Sequence, residues 1–249
     1  MDSNQLTDKQ FWLNYWESKQ NLAFPVSQSY PFISHISSLL LKYNTRSFLE
    51  IGGFPGYYSV WVKKNHKIQS TLLDFVIHER ILHQLEQVNG LPHGSVDTIE
   101  ADLFDYTPAH KYDLVVSNGL IEHFNDTADI IQKHVQFLPA NGTLFITLPN
   151  FRGLNGWFQR TFDPENYAKH NIGCMDLDYL RNVCLSLGLH DIDVQYNGRF
   201  MLWLENLASQ PAWVKVFMKA LWFPLKVLFK LVPIETRLFS PYIILTARV

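Results

Sequence analysis

Cysteine is scarce in this chain. Cys174 and Cys184 are the only two, ten positions apart and without metal-ligand company, so a disulfide framework is excluded and no metal site is expected. An excess of either charge is missing as well: 21 Lys and Arg stand against 23 Asp and Glu, a formal net charge of -2, which supplies no basic face for nucleic acid. The N-terminal run Met1-Asp2-Ser3-Asn4-Gln5 has neither a basic nor an apolar leader region, and a reducing cytoplasm is the expected setting. No lysine-free apolar run approaches the ~20 residues that a spanning helix needs. A dinucleotide fingerprint is absent too, because no register of Gly52, Gly53 and Gly56 yields Gly-x-Gly-x-x-Gly, and nicotinamide chemistry is therefore disfavoured.

Aromatics, by contrast, are plentiful. They make up 14% of the residues and include seven tryptophans, which suits large apolar pockets or a membrane-facing surface as well as ordinary core packing. A chain of 249 residues can bury a sizeable core, and a single domain is expected: N-terminal helices over 1–45, a core over 46–196, a helical insertion over 197–240 and a last strand over 241–249.

The chain is organised around residues 47–57. An apolar strand ends at Glu50 and Ile51, turns on Gly52, Gly53 and Gly56, and runs into an amphipathic stretch. Glycine lets a backbone approach a ligand where a side chain would block it, so this strand–loop–helix unit has the form of a cofactor site. A turn that binds nothing is the plainer alternative. Further strands follow over 70–75, 95–103, 112–117 and 143–148, alternating with helices as in a parallel sheet covered on both faces. Asp74 ends the second strand 22 residues after Gly52, at the reach where a carboxylate can accept from ribose hydroxyls; an exposed strand-end acid is the alternative. The third strand ends at Asp102.

Upstream, Thr7 and Gln10 have capping-box spacing ahead of a helix carrying Phe11, Trp12, Tyr15 and Trp16, which either packs on the domain or covers a cofactor. A second helix is expected from Pro31. Residues 149–157 are rich in glycine, asparagine and aromatics and read as a loop outside the core, contributing with the stretch through His170 to an acceptor pocket. A helix from Asp176 stops at Gly188.

The loop resembles the first motif of class I S-adenosylmethionine (SAM)-dependent methyltransferases, acidic-x-Gly-x-Gly-x-Gly, with Glu50, Gly52 and Gly56 in register and Phe54 in place of the middle glycine. The resemblance implies a Rossmann-like α/β fold. Its sheet would have seven mostly parallel strands with helices on both faces and an antiparallel last strand, extended by the N-terminal helices and the insertion. It also implies SAM as cofactor, held by Glu50, Gly52, Gly53, Phe54 and Gly56, by Asp74 at the ribose with Phe75 next to it, by Asp102 and Leu103 at the adenine, and by Ser117 and Asn118 where the fourth strand ends. Three successive strand-end acids agree with this chemistry: SAM offers an ammonium, hydroxyls and an amine, whereas a pyrophosphate would need donors and positive charge. Residues 118–124, with Glu122 and His123, resemble the fourth motif of small-molecule methyltransferases, and the Asn/Asp-Pro-Pro-aromatic signature of nucleic-acid N-methyltransferases is absent.

The expected reaction is methyl transfer to a small-molecule acceptor, at O or N rather than C, with a lipid-linked or sugar acceptor in view. His123 and His170 are the candidate general bases, with space-filling histidines as the alternative. A second reading keeps the fold without catalysis, as a binding or scaffold module, and rests on Phe54. In the insertion, Lys215, Lys219, Lys226 and Lys230 fall within an arc of roughly 60° on one helix, opposite Trp213, Phe217, Trp222, Phe223 and other apolar residues, with Pro224 expected to kink or split it. An anionic membrane interface is one expected partner for residues 211–232; packing on the domain, a cover for the acceptor pocket and a dimer interface are the others.

Overall fold

The computed structural model describes residues 4–231 and 234–249. Its centre is a seven-stranded sheet built from β1 (Ser47–Ile51), β2 (Gln69–Asp74), β3 (Asp97–Glu100), β4 (Leu114–Asn118), β5 (Thr143–Pro149), β6 (His190–Asn197) and β7 (Tyr242–Arg248), in the spatial order β3-β2-β1-β4-β5-β7-β6. The first five strands pair in parallel, and β7 runs antiparallel between β5 and β6. The helices are α1 (Lys9–Ser18), α2 (Ile33–Lys42), α3 (Tyr57–His66), α4 (Glu79–Val88), α5 (Thr127–Val135), α6 (Leu154–Phe162), α7 (Pro164–Tyr167), α8 (Leu177–Ser186) and α9 (Ala212–Leu231).

Period-two alternation sorts the strand side chains onto two faces. Leu49, Leu73, Val115 and Ile146 join a core under α5 and α8, whereas Phe48, Leu72, Val116 and Phe145 join one under α2, α3 and α4. The chain leaves β1 outward to β2 and β3, then returns to place β4 on the other side of β1. That reversal opens a crevice above the carboxyl ends of β1 and β4, which is where open α/β sheets bind ligands.

Several local expectations are corrected. Asp8, not Thr7, caps α1 by accepting the Phe11 N–H at 2.7 Å; Thr7 Oγ1 instead takes the Trp12 indole N–H, and Gln10 bonds Asn14. The α2 helix begins at Ile33, two residues past Pro31. The third strand is only four residues long: it starts at Asp97, after the Glu86 carboxylate has taken the N–H groups of Gly94 and Val96, and it ends at Glu100. The stretch after β5 is buried structure rather than a loop outside the core. Asn150, Phe151, Asn155 and Phe158 are buried and α6 starts at Leu154, with Gly156 so close to Phe151 that a Cβ would stand 1.8 Å from its carbonyl oxygen. Its glycines serve close backbone approach, which composition cannot distinguish from flexibility.

In the insertion, α9 runs unbroken through Pro224. Pro224 and Ala220 are both exposed, so the carbonyl that proline leaves without a donor is on the solvent side. The expected single apolar face is in fact two. Val214, Met218 and Phe229 are buried against Phe158, Phe200, Leu202 and Leu204, while Trp213, Val216, Phe217, Phe223, Val227 and Leu228 are exposed. Lys215, Lys219 and Lys226 lie between these faces; the side chain of Lys230 and residue 232 lie outside the described residues. Among the described residues no helix is long and apolar enough to cross a membrane.

Candidate active site

Two cavities occupy the crevice. The smaller, of about 70 Å³, is edged by Asp74 and Phe75 after β2, by Asp102 and Leu103 after β3, and by Gly52 and Gly119 after β1 and β4. The larger, of about 350 Å³, is edged by Glu50, Gly53, Phe54, Asn118, Glu122 and His170, and by Trp203 and Glu205 from the insertion. They meet at Gly52, Gly119 and His123, which line both, under Trp12 and Trp16 of α1.

The loop after β1 is shaped by Gly52 at φ +62° and Gly56 at φ +92°, left-handed conformations that side chains disfavour. Asp74 braces that loop from the neighbouring strand: one carboxylate oxygen accepts the Phe54 N–H at 2.9 Å and the other the Val76 N–H at 3.1 Å. Burial raises its pKa to about 6. Glu50 is 1% exposed and accepts the Ser59 N–H at 2.7 Å; burial raises it to about 7. Asp102 lies two residues past the end of β3, where it accepts the Phe104 N–H at 2.9 Å and faces Gln5 at 3.4 Å.

Phe54 occupies the position of the missing glycine by turning its ring onto Trp16 and His78, with centroids 5.2 and 5.7 Å away, while its N–H holds Asp74. Two of the sequence-derived residues stand apart from the cavities. Ser117 is fully buried in β4, and Gly56 caps α3 from the position before it, packed on Leu72. The remaining nine cofactor candidates line one cavity or both.

At the far end, His123 and His170 come together with ring centroids 4.8 Å apart. Each ring has its Nδ1 on a backbone carbonyl, that of Lys169 at 2.9 Å for His123 and that of Asn166 at 2.8 Å for His170. A carbonyl can only accept, so each Nδ1 carries the proton and each Nε2 keeps a lone pair. Burial lowers the pKa of His123 to about 3, helped by His170, and burial lowers that of His170. Glu122, beside them, is pushed up to about 8 by burial. The 3-10 turn Ile121–His123 aims these neighbours into one site, and the Asn171 N–H bonds the Glu122 carbonyl at 2.6 Å to tie the two segments together.

Sequence reasoning missed Glu122 as a site residue, along with Trp203 and Glu205. The Glu-His pair was a usable signal, and the structure has both Glu122 and His123 lining the larger cavity. The lid was one of two readings of α1. None of its residues is fully buried, and Trp12 packs edge-on against His123 at 5.3 Å, so the helix lies over the crevice rather than forming part of the core.

Strand order, switch-point crevice and acids beside the first three strand ends define a class I SAM-dependent methyltransferase fold. The chain belongs to the methyltransferase-domain family, whose model matches residues 28–194. Among solved structures, it is similar to a SAM-dependent methyltransferase from Archaeoglobus fulgidus at 16% identity and TM-score 0.52, over 87% of this chain and 94% of that one. It is similar to the Haemonchus contortus phosphoethanolamine N-methyltransferase 2, solved with phosphomonomethylethanolamine and S-adenosylhomocysteine, at 15% identity and TM-score 0.55, over 86% of this chain and 52% of that one. The plantazolicin methyltransferase BpumL, solved with a desmethyl substrate analogue and S-adenosylhomocysteine, is 13% identical with TM-score 0.53, over 89% and 86%. No curated protein matches the chain in sequence.

Proposed function

We propose that the chain transfers the SAM methyl group to oxygen or nitrogen of a small molecule. One observation carries this reading: acceptor groups are distributed along the crevice as SAM distributes its donors. Asp102 suits the adenine amine, Asp74 the ribose hydroxyls and Glu50 the amino acid end, which brings the sulfonium to the junction of the two cavities beside His123. The methyl is already activated by sulfur, so the protein's task is to exclude water and align a nucleophile. His123 and His170, each with its Nδ1 on a carbonyl and a lone pair on Nε2, prepare that nucleophile. Phe54 does not favour an inactive module, since the loop is held to Asp74 through its backbone N–H, which a glycine there would supply equally.

The acceptor is proposed to be lipid-linked or delivered at a lipid surface. The exposed apolar face of α9 borders its lysines, as a helix lying in an anionic interface requires. The same insertion supplies Trp203 and Glu205 to the larger cavity, and a second apolar pocket of about 340 Å³ lies between Leu202, Met218, Trp222, Lys215 and Lys219. Mass spectrometry of small molecules released from the purified protein tests the cofactor reading. SAM or its demethylated product should be recovered, and a bound nicotinamide nucleotide in its place would overturn it.

A further inference from the structure

We propose that Glu122, His123 and His170 bind a divalent first-row transition-metal cation at the acceptor end of the crevice. This rests on the methyl-transfer reading and deepens it. One ligand atom from each residue lies within 4.8 Å of the others. Loaded sites with bonds of ~2.0–2.2 Å bring such atoms to roughly 3–3.5 Å, a closure of at most roughly 1.3–1.8 Å that rotation of the Glu122 carboxyl toward the two rings supplies.

Three independent features point the same way. Both histidines donate Nδ1–H to backbone carbonyls, the outer contact that fixes ring orientation and tautomer in metal-ligating histidines, so both Nε2 lone pairs remain for a ligand. Glu122 is 1% exposed, yet its Oε2 has no hydrogen-bond partner among the described residues. A buried carboxylate in that state is costly to ionise, and a bound cation removes the cost. The backbone is braced before any ion arrives, through the Asn171 N–H on the Glu122 carbonyl and the Asn171 side-chain amide on the Phe124 carbonyl at 3.0 Å.

Two imidazoles and one carboxylate select zinc, iron(II), manganese(II) or cobalt(II) over magnesium, which prefers oxygen ligands. Three protein ligands facing a cavity leave positions open, as in catalytic rather than structural sites. An acceptor hydroxyl takes one of them. Coordination acidifies it, its proton leaves to water, and the oxygen lone pair forms the new O–C bond to the methyl. The C–S bond breaks with its electron pair returning to sulfur, giving neutral S-adenosylhomocysteine, and the metal is neither oxidised nor reduced. The site thus narrows the acceptor to a hydroxyl compound, with metal-assisted ionisation in place of proton transfer to a histidine.

The test is titration of the metal-stripped protein with cobalt(II), followed by visible absorption and calorimetry, for wild type, Glu122→Gln, His170→Ala and His170→Asn, with SAM affinity measured on each as a check of the fold. One cobalt(II) per chain should bind with ligand-field bands, and loss of a ligand should weaken it by at least ~100-fold while SAM affinity stays within about threefold. A SAM-binding wild type that takes up no cobalt(II), or uptake indifferent to all three substitutions, would overturn the site. Cobalt(II) held by the triad in a protein that does not bind SAM would uphold the site and overturn the methyl-transfer reading.

Discussion

Asp74 accepts the backbone N–H of Phe54 at 2.9 Å, so the carboxylate at the tip of β2 holds the loop that follows β1. The bond is to the main chain and survives any substitution at position 54 other than proline. Phe54→Gly should therefore leave SAM affinity within about threefold, while Asp74→Ala, which strips the loop brace and the ribose acceptor together, should weaken it by roughly one to two orders of magnitude, as expected for lost buried hydrogen bonds of ~1–3 kcal/mol. Comparable losses in both variants would show that the ring, and not the carboxylate, organises the site.

Burial raises Glu50 to about 7 and Asp74 to about 6. Both hold protons in the folded chain that the unfolded chain releases above about pH 4, so their stabilising contribution is complete below that value and is lost as pH rises to about 7. Glu50→Gln removes one of these titrations and keeps an acceptor for Ser59. In thermal melts of the cofactor-free protein between about pH 5 and pH 8, wild type should lose on the order of a few kcal/mol relative to this variant. A difference that does not change with pH would contradict the burial of a titrating Glu50.

The strand core was legible because each strand's apolar residues alternate between two covered faces, and Leu49 beside Phe48 already implies both. β7 was read to within one residue at each end, and Asp74 was placed from its distance to the glycine loop. What escaped depended on contacts distant in sequence. Glu86, on a helix ten residues away from Val96, takes the N–H just ahead of β3, and Gly156 is needed by the carbonyl of Phe151. Ser117 was taken for a ligand contact on its position at a strand end, but it is fully buried and lines neither cavity. Glu122 was named only as the partner of His123 in a motif, and its place in the site depends on His170, 48 residues away.

The close approach at Gly156 makes a stability prediction. A methyl group there would stand 1.8 Å from the Phe151 carbonyl oxygen, and backbone cannot yield as a flexible side chain does. Gly156→Ala should lower the unfolding free energy by at least ~1–3 kcal/mol in denaturant titrations, as overpacking does. A neutral result would place α6 farther from Phe151.

The three-sided α9 predicts sedimentation with anionic vesicles at low salt and release by added salt. Changing Lys215, Lys219 and Lys226 to glutamate should reduce partitioning by at least ~100-fold, at ~1 kcal/mol for each surface charge lost. Phe223→Asp should weaken it as well, because the exposed apolar face is the part that enters the interface. Binding that is absent, or indifferent to both lipid charge and salt, would turn α9 into a protein-contact surface.

α1 covers the crevice without a fully buried residue, which suits an element that opens for cofactor exchange. Hydrogen exchange over residues 9–18 should slow on SAM addition, and Trp16→Ala should speed cofactor release by roughly tenfold, a fraction of the ~1.5–3 kcal/mol carried by a buried large side chain. Protection unchanged by SAM would make α1 a packing helix only.

The most direct test of the site is a calorimetric titration of the folded protein with SAM, repeated with S-adenosylhomocysteine and with NAD. Both adenosyl compounds should bind with one site per chain, weakened by Asp74→Ala and by Asp102→Ala, and NAD should give no heat. A folded wild-type protein that binds neither adenosyl compound would contradict the assignment of Glu50, Asp74 and Asp102 as the cofactor's acceptors and leave the chain a methyltransferase fold without its reaction.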